Sequence, residues 1–380
     1  QSKSLLLMVL HFDIECGPEM NKLIKKIVYL LLYQLLFLAK RKRSSGLLIL
    51  TYHRITDEPD LQDPLKVSVY NFEKQMLFLK KNYRIISGEE LVDIIKNNKP
   101  FPENSCLITF DDGWRDNYTN AFPIFKKYGI PAIIFITTDY IGTNKIFWHE
   151  KLCNILLKAS GYRQLDNIRN KWPDSIKVKI NNIIKNSEHQ RRPLINDLVE
   201  FIKSYSLDEI NNLIRELIAL FDVVEEVSQP VMLSWEQINE MSQNNICFGS
   251  HTKSHAILTQ ISTDKVIEEL WESKSIIENK LGKPVYFFAY PNGNYNDFII
   301  RAAIESGHLA SFTCISGLNF SLENRFELRR KHILEDITLG FNNEFSELFL
   351  KVELFGIREY LKKIFLILSR KNNLKADYND

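Results

Sequence analysis

Two adjacent carboxylates, Asp111 and Asp112, follow the short apolar run Cys106-Leu-Ile-Thr-Phe110 and precede Gly113. The run is typical of a buried β-strand, and the glycine permits a sharp exit into a loop. Because the chain bends where the strand ends, both carboxylates can reach one cavity in different orientations. One of them can bind a cation while the other takes a proton from an attacking water. Taken alone, however, an Asp-Asp-Gly sequence is most often a turn.

Two histidines, His251 and His255, lie four positions apart after a second apolar run, Ile246-Cys-Phe-Gly-Ser250. Taken alone, this spacing is also common on a solvated helix face. Here both polar groups fall at the ends of predicted strands, and this coincidence favours a shared site. Two neutral imidazoles and one carboxylate can hold a divalent metal and leave coordination positions open for water and substrate, as a catalytic metal requires.

Three segments, in order, resemble the motifs of the polysaccharide deacetylase family, also called the NodB-homology domain or carbohydrate esterase family 4. Thr109 to Gly113 matches the Thr-Phe-Asp-Asp-Gly motif at every position, and His251 to His255 resembles the histidine motif. The third segment, Ala289-Tyr-Pro-Asn-Gly293, keeps the proline and the glycine, but an alanine stands where the family has an arginine. Its form resembles the branch that contains poly-N-acetylglucosamine deacetylases. The resemblance covers roughly residues 47–339, apart from an insertion.

The resemblance implies a role for four residues of the first two motifs. Asp111 is the expected general base, and Asp112, His251 and His255 are the expected ligands of a divalent metal. Zinc is the first expectation for that metal, with cobalt, nickel or manganese as alternatives. The metal would polarise the acetyl carbonyl and lower the pKa of a water.

The third motif and a later strand carry further expectations. The backbone N–H of Asn292, beside Tyr290 and Pro291, is expected to help hold the tetrahedral oxyanion. In the family, the arginine that Ala289 replaces here orients the base carboxylate. Arg329 or Arg330, from another predicted strand, is a candidate to supply that charge.

Two histidines and a tryptophan are candidates for the rest of the pocket. The family uses a late histidine as general acid, and His332 is the nearest candidate, although its context differs from the family motif; the alternative is a surface histidine. His53 follows the apolar strand Leu47–Tyr52 and either contributes to the pocket, as polar residues at barrel strand ends usually do, or bonds to the backbone. Trp114 follows the first motif and is expected to line the cleft or cap the next helix.

Short strands alternate with helical segments, which predicts an α/β fold: a distorted (β/α)7 barrel of the polysaccharide deacetylase type. Helical spacing of apolar residues predicts helices over Asn71–Asn82 and Thr263–Leu281, and Asn296 is a candidate cap for a helix that ends at Gly307. The predicted strands are Leu47–Tyr52, Cys106–Phe110, Ala132–Thr137, Ile246–Ser250, Val285–Ala289, Ala310–Ile315 and Phe326–Arg330.

Residues 149–230 interrupt this rhythm and predict a helical insertion after the third strand. Ser206-Leu-Asp-Glu209 is a capping box that opens an amphipathic run ending at Phe221. The insertion is either a lid or substrate clamp beside the site, or a structural addition on the barrel's flank. The aromatic segment Phe147-Trp-His149 at its entry suits sugar stacking and packing equally.

The two ends of the chain are predicted to lie outside the barrel of residues 47–340. Residues 1–46 form an N-terminal extension with an apolar and basic helix, and residues 341–380 a C-terminal amphipathic helix and tail. The segment 22–43 is short for a membrane span and lacks a small-residue cleavage site. It suits peripheral contact with anionic lipid, or a helix docked on the barrel. We therefore expect a membrane-associated or cell-envelope protein rather than a freely soluble cytoplasmic one.

Composition agrees with a folded enzyme. The chain has 380 residues, of which 45% are hydrophobic, and a net charge of +2. A charge so near zero argues against nucleic acid as a partner, and no Gly-rich phosphate loop is present. Of the five cysteines, Cys106, Cys247 and Cys314 lie in apolar runs, which predicts buried free thiols.

These observations predict a metal-dependent hydrolase that removes N-acetyl groups from an amino sugar within a glycan or glycolipid. One alternative keeps the fold and changes the bond to another carbon–nitrogen (non-peptide) amide or an ester. The other is a glycan-binding protein whose catalysis has decayed, motivated by the missing arginine. Both aspartates and both motif histidines are retained, which argues against decay.

Overall fold

A curled, mostly parallel β-sheet forms the centre of the protein, in a computed structural model that describes residues 46–57, 63, 65–159, 172–223, 231–356 and the single positions 27, 31 and 34. The strands are β1 (Leu47–Tyr52), β2 (Arg54–Thr56), β3 (Lys66–Ser68), β4 (Arg84–Ile85), β5 (Ser105–Phe110), β6 (Ala132–Ile136), β7 (Ile246–Ser250), β8 (Phe287–Ala289), β9 (Ala310–Phe312), β10 (Leu318–Asn319) and β11 (Lys331–His332). The α-helices are α1 (Val69–Asn82), α2 (Gly88–Lys96), α3 (Phe122–Tyr128), α4 (Trp148–Lys158), α5 (Asp174–Lys185), α6 (Glu188–Ile202), α7 (Leu207–Phe221), α8 (Trp235–Ser242), α9 (Thr263–Leu281), α10 (Asp297–Glu305) and α11 (Glu347–Leu354).

The strands of the main sheet follow the order β10-β1-β5-β6-β7-β8-β9, and β2 and β3 pair separately. Strand β11 joins β1 in parallel through the pairs Leu50–Lys331 and Thr51–His332. A single bridge, Phe312–Leu328, connects β9 to the segment that precedes β11. The sheet therefore curls back towards its first strand, which confirms the predicted α/β fold of distorted barrel type.

The central strands are buried on both faces. Every residue of β1, β5 and β6 is buried, as expected for parallel strands covered by helices. Alternate residues divide between two cores, because side chains on a strand point to opposite faces. One set, which includes Leu50 and Ile108, packs with Phe72 of α1, and the other, which includes Ile49, packs with Phe287 of β8. The rigid sheet that results holds the loops at the strands' carboxyl ends.

Most predicted strands agree with the structure to within a few residues, but the strand predicted at Phe326–Arg330 is wrong. Only Leu328 of that segment forms a bridge, and the strand begins later, at Lys331. The side chain of Asn319 explains the difference. It accepts a hydrogen bond from the Arg329 N–H (2.9 Å) and donates one to the Arg329 carbonyl (2.9 Å), so these backbone groups need no partner strand.

The sequence predicted the ends of several helices correctly. Helix α9 spans Thr263–Leu281 as predicted, and Asn296 accepts a hydrogen bond from the Ile299 N–H (3.0 Å) at the start of α10. That helix ends at Glu305 rather than at Gly307, whose φ of 82° lies in the left-handed region. The prediction of a buried Cys314 is also wrong, because this thiol is exposed.

Between β6 and β7 the described chain is helical and has its own apolar core. Helices α4 to α7 pack around a cluster that includes Leu152, Ile180, Ile195 and Leu213. Helix α7 begins with the predicted capping box, in which the Ser206 and Glu209 side chains each bond the other's backbone N–H. A separate core gives these helices a shape independent of the barrel.

Of the predicted C-terminal helix and tail, residues 357–380 lie outside the described residues. Helix α11 packs on the barrel through Leu350 and Leu354, while Leu348 and Phe355 are exposed. Apart from the single positions 27, 31 and 34, the predicted lipid-contacting segment 22–43 lies outside the described residues. Among the residues that are described, no helix combines the length and the apolar character needed to cross a membrane.

A buried histidine remote from the motifs is expected to make folding sensitive to acid. His308 is 3% exposed, and burial lowers its pKa to about 3, with a smaller contribution from the charge of Lys274. Between pH 6.5 and 3 the unfolded chain therefore binds a proton that the folded protein does not bind. We expect His308 to reduce the free energy of unfolding by about 1–2 kcal/mol when the pH falls from 6.5 to 5.

Urea unfolding of the metal-free protein at both pH values, compared with His308→Gln, measures this contribution. The substitution should remove it, while replacement of the exposed His189 by Gln should leave the pH dependence unchanged. If the free energy of unfolding changed equally with pH in the wild type and in His308→Gln, the prediction would be contradicted.

Candidate metal centre

The loop after β5 turns the two carboxylates in different directions. Asp111 still follows the sheet, since its N–H donates to the Tyr52 carbonyl (3.0 Å). Asp112 and Gly113 then adopt φ angles of 77° and 84°, and the Gly113 N–H donates back to the Asp111 carbonyl (3.0 Å). A positive φ at a residue other than glycine is costly and persists where surrounding structure enforces it. The turn separates a position suited to metal binding from one suited to proton transfer.

Asp112, His251 and His255 converge at the carboxyl ends of β5 and β7. One carboxylate oxygen of Asp112, Oδ1, lies 3.5 Å from His251 Nε2 and 3.3 Å from His255 Nε2. One potential ligand atom from each of the three residues lies within 4.8 Å of the other two, the only such group in the described part of the chain. The buried Oδ1 has no hydrogen-bond partner, although a buried acceptor without a partner is unfavourable. These donors fit a divalent ion such as zinc.

Neighbouring groups orient the three candidate ligands. The other Asp112 oxygen accepts a hydrogen bond from Trp114 Nε1 (2.9 Å). His251 Nδ1 lies 2.8 Å from the Ala289 carbonyl, and because a carbonyl only accepts, Nδ1 is the donor and Nε2 keeps its lone pair. Burial, the largest influence, lowers the pKa of His251 to about 4, so the ring is neutral at neutral pH.

Asp111 forms a bidentate ion pair with Arg330. The Arg330 Nη1 and Nη2 atoms lie 2.7 Å from the two Asp111 oxygens. The guanidinium also donates to the Thr313 carbonyl (2.9 Å), and both side chains are buried. Burial, the largest single influence, raises the pKa of Asp111, but the charge and hydrogen bonds of Arg330 together with the charges of His251 and His53 hold that pKa below its usual value. Arg329, the other predicted candidate, is exposed and lies against Gly317 instead.

Three more histidines border the same cavity. The rings of His53 and His332 lie 5.0 Å apart, and His53 Nδ1 is buried without a hydrogen-bond partner. Burial and the charge of His53 lower the pKa of His332 to about 3. His149, on α4, stacks on Phe147, and burial followed by the charge of His255 lowers its pKa to about 3. Sequence analysis did not assign His149 to the site.

The third motif forms the short loop Pro291–Gly293 after β8. Asn292 has a φ of 57°, and its Oδ1 accepts a hydrogen bond from Lys203 Nζ (2.8 Å). Tyr290 is buried and donates through its hydroxyl to the Phe326 carbonyl (2.9 Å). Pro291 is buried too. The loop is thus held from two sides, by the barrel and by the helical region.

A cavity of about 350 Å³ brings most of these residues together. Of the predicted site residues, Trp114, Pro291, Arg329 and Arg330 do not line it. Those that do are His53, Asp111, Asp112, His251, His255, Tyr290, Asn292 and His332. The opposite wall comes from the helical region and includes His149, Arg192 and Lys203. Of these three, only His149 lies in a segment that the sequence had indicated, the aromatic run Phe147-Trp-His149. This wall bounds one side of the cavity.

Several known proteins are similar to this chain in sequence. The Bacillus subtilis protein YxkH, named as a polysaccharide deacetylase, is 23% identical over 295 residues, which cover 77% of this chain and 74% of YxkH. The poly-β-1,6-N-acetyl-D-glucosamine N-deacetylase of Staphylococcus epidermidis is 32% identical over 142 residues, or 34% of this chain. The matched residues are 46% of that enzyme's length, and only 15% of the Escherichia coli enzyme of the same name.

Solved structures share the fold at low sequence identity. The IcaB structure from Ammonifex degensii has a TM-score of 0.50 and 20% identity, covering 77% of this chain and 94% of IcaB. A Bacillus anthracis protein titled as a polysaccharide deacetylase has a TM-score of 0.50 and 21% identity, covering 81% of this chain and 68% of its own. Residues 98–310 match the family described as polysaccharide deacetylase, and all three motifs lie within them. Because this match covers more than half of a chain whose fold is also shared, the protein belongs to the polysaccharide deacetylase family.

Proposed function

We propose that this protein is a metal-dependent N-deacetylase that removes acetyl groups from amino sugars of a glycan or glycolipid. The observation that carries the proposal is the convergence of Asp112, His251 and His255 beside the Asp111–Arg330 ion pair in one cavity. Membership of the polysaccharide deacetylase family supports the acetyl group and the glycan. The names of the poly-β-1,6-N-acetyl-D-glucosamine deacetylases support an N-acetylglucosamine polymer as the first substrate to test.

Asp112, His251 and His255 would hold the metal, zinc as the first expectation. When bound, a divalent metal polarises a carbonyl and makes a water easier to deprotonate. Asp111 is then the base that removes the proton from the attacking water. Its low pKa keeps it ionised, and Arg330 holds both of its oxygens in place. The Asn292 N–H donates to the oxyanion in this scheme.

The decayed alternative is weakened by the same ion pair. It rests on the arginine missing at position 289, and Arg330 gives Asp111 a guanidinium partner from elsewhere in the chain. The measurement that decides is acetate release from a panel of N-acetylated glycans, in metal-free protein and after addition of zinc, cobalt, nickel or manganese. Wild-type activity in a fully metal-free preparation would contradict the mechanism.

His332 is proposed as the general acid that protonates the leaving nitrogen, with His53 as the alternative. The low pKa of His332 argues against a resting imidazolium there, so both residues require a test. An amide needs a proton on its leaving amine, whereas 4-nitrophenyl acetate, with a stable leaving group, does not. We expect the substitution of the true acid by Ala to lower amide turnover by about 10²–10⁴-fold and ester turnover much less.

Measurement of kcat on both substrates for His332→Ala and His53→Ala assigns the role. A residue that only supports the pocket should reduce both activities alike. If neither variant separates amide from ester hydrolysis, the proton comes from another group.

Residues 22–43 are proposed to make peripheral contact with a membrane, which would place the protein at the cell envelope. The support is their sequence alone, with basic residues on both sides of an apolar stretch. Co-sedimentation with anionic and neutral vesicles, for the full chain and for a variant lacking residues 1–43, tests this. Equal sedimentation of the two proteins would exclude the contact.

A further inference from the structure

The loop that carries His251 and His255 has a strained backbone. Two of its residues, Thr252 and His255, have φ angles of 65° and 63°, in the left-handed region. At residues other than glycine such angles are unfavourable, and they persist only where the surrounding structure enforces them. Because the loop carries both candidate imidazole ligands, the contacts that enforce its shape also determine where those ligands lie.

The carboxylate of Glu269, on α9, holds the middle of this loop. It accepts hydrogen bonds from the Lys253 N–H (2.7 Å), the Ser254 N–H (2.9 Å) and the Ser254 hydroxyl (2.5 Å). Hydrogen bonds to an ionised acceptor are about twice as strong as those between neutral groups. The two backbone bonds fix the peptide planes on either side of Lys253, and the next peptide unit leads directly into His255.

The same helix also holds the start of the loop. The hydroxyl oxygens of Ser273, on α9, and Ser250, at the end of β7, lie 2.6 Å apart. Ser250 Oγ in turn accepts a hydrogen bond from the Thr252 N–H (3.2 Å). Glu269 and Ser273 are four positions apart and therefore lie on the same face of α9. One helix face thus contacts the loop from the strand end to the residue before His255.

Of the three candidate ligands, His255 depends most on this support. Asp112 and His251 are each oriented by a hydrogen bond of their own side chain to a neighbouring group. In the described part of the chain, the His255 ring contacts Asp112 and aromatic rings, with centroids 4.7 Å from Phe147 and 5.0 Å from His251. Hydrogen bonds prefer a narrow range of directions. Because the ring contacts restrict direction less, the backbone before His255 has to determine where its Nε2 lies.

We propose that Glu269 is a positioning residue of the metal site. By holding the backbone of Lys253 and Ser254, its carboxylate places His255 Nε2 3.3 Å from Asp112 Oδ1, where the two atoms can share one cation. Glu269 is not one of the three convergent ligands, so it acts through His255. The proposal rests on the proposed metal-dependent function and extends the site to a residue outside the three motifs.

The test measures zinc affinity, not turnover alone. Zinc is titrated into the metal-free full chain in competition with a fluorescent chelator. Glu269→Ala removes the acceptor of all three bonds and should raise the Kd for zinc about 10- to 100-fold, the usual effect of losing a group that orients a metal ligand. Glu269→Gln keeps one acceptor oxygen but turns an amide N–H group towards the loop's donors, so we expect an intermediate Kd.

Glu272→Gln is the matched control. Glu272 is exposed on the same helix and binds the same loop, but through the Lys253 side chain (2.6 Å) instead of the backbone. This variant should keep the zinc Kd of the wild type. Urea unfolding of each metal-free variant shows whether it folds, and Glu269→Gln decides the question if Glu269→Ala does not fold. A residue with a purely structural role would lower the free energy of unfolding without changing the zinc Kd of the folded protein.

The outcomes separate this inference from the proposed function. Equal zinc Kd values for the wild type and the folded Glu269 variants would overturn the positioning role and leave the proposed function standing. A wild-type protein that binds no divalent metal would contradict the proposed function and, with it, the positioning role. A rise in Kd for Glu269→Ala that is smaller for Glu269→Gln and absent from Glu272→Gln supports the proposal.

Discussion

Asp112→Ala is expected to lose the bound divalent metal and, with it, at least about a thousandfold of the deacetylase activity. The substitution removes the buried Oδ1 that lies within 3.5 Å of both candidate imidazole ligands. A metal that polarises a carbonyl contributes several kcal/mol to the rate, and each 1.36 kcal/mol corresponds to a factor of about ten. Metal content by elemental analysis and kcat on an N-acetylglucosamine oligomer are the two measurements.

Asp111→Asn is expected to give the contrasting result. Asp111 is not one of the three convergent ligands, so this variant should keep its metal and lose turnover alone. Asp93→Ala, at an exposed carboxylate on α2, is the control and should change neither quantity. A metal-free Asp111→Asn protein, or a fully loaded Asp112→Ala protein, would reverse the assignment of base and ligand.

Arg330→Met is expected to be the most destabilising single change near the site, by about 3–5 kcal/mol, and to reduce activity as well. It leaves the Asp111 carboxylate buried without its partner, so the pKa of Asp111 should rise and the base should be less ionised. Arg330→Lys keeps a charge but cannot bind both carboxylate oxygens at once, and we expect an intermediate effect. Chemical denaturation and the pH dependence of kcat/KM measure the two consequences.

Arg329→Met supplies the matched control, because the neighbouring arginine is exposed and makes no contact with Asp111. The double variant Asp111→Asn with Arg330→Met should regain part of the lost stability, since it removes the carboxylate that Arg330→Met leaves unpaired, but none of the activity. Equal stability losses for Arg329→Met and Arg330→Met would show that the buried ion pair has no special role.

The fold was predictable where short apolar runs end in polar or glycine residues. Strands β1 and β7 and helix α9 have their predicted bounds because local pattern and tertiary contacts agree there. The last predicted strand was misplaced because its apolar and charged residues alternate as in a strand, while the Asn319 side chain takes the place of a neighbouring strand. A side-chain contact between residues ten positions apart leaves no periodic signal.

The candidate site was predictable only to the extent that its residues lie in short motifs. The three convergent ligands come from two such motifs. The choice between Arg329 and Arg330 depends on register, because consecutive residues of an extended segment point in opposite directions. The contacts of Lys203 and His149 with the site depend on how the helical region packs against the barrel, which its own amphipathic pattern does not specify.

The position of Arg330 in the chain also determines when Asp111 can gain its ion-pair partner during synthesis. Asp111 leaves the ribosome long before Arg330, and the arginine reaches it only when β11 pairs with β1. A nascent chain, or one cut by a protease ahead of Arg330, would carry all three candidate metal ligands and yet hold Asp111 without its guanidinium partner. We therefore expect the candidate site to be completed late in synthesis, when β11 pairs with β1.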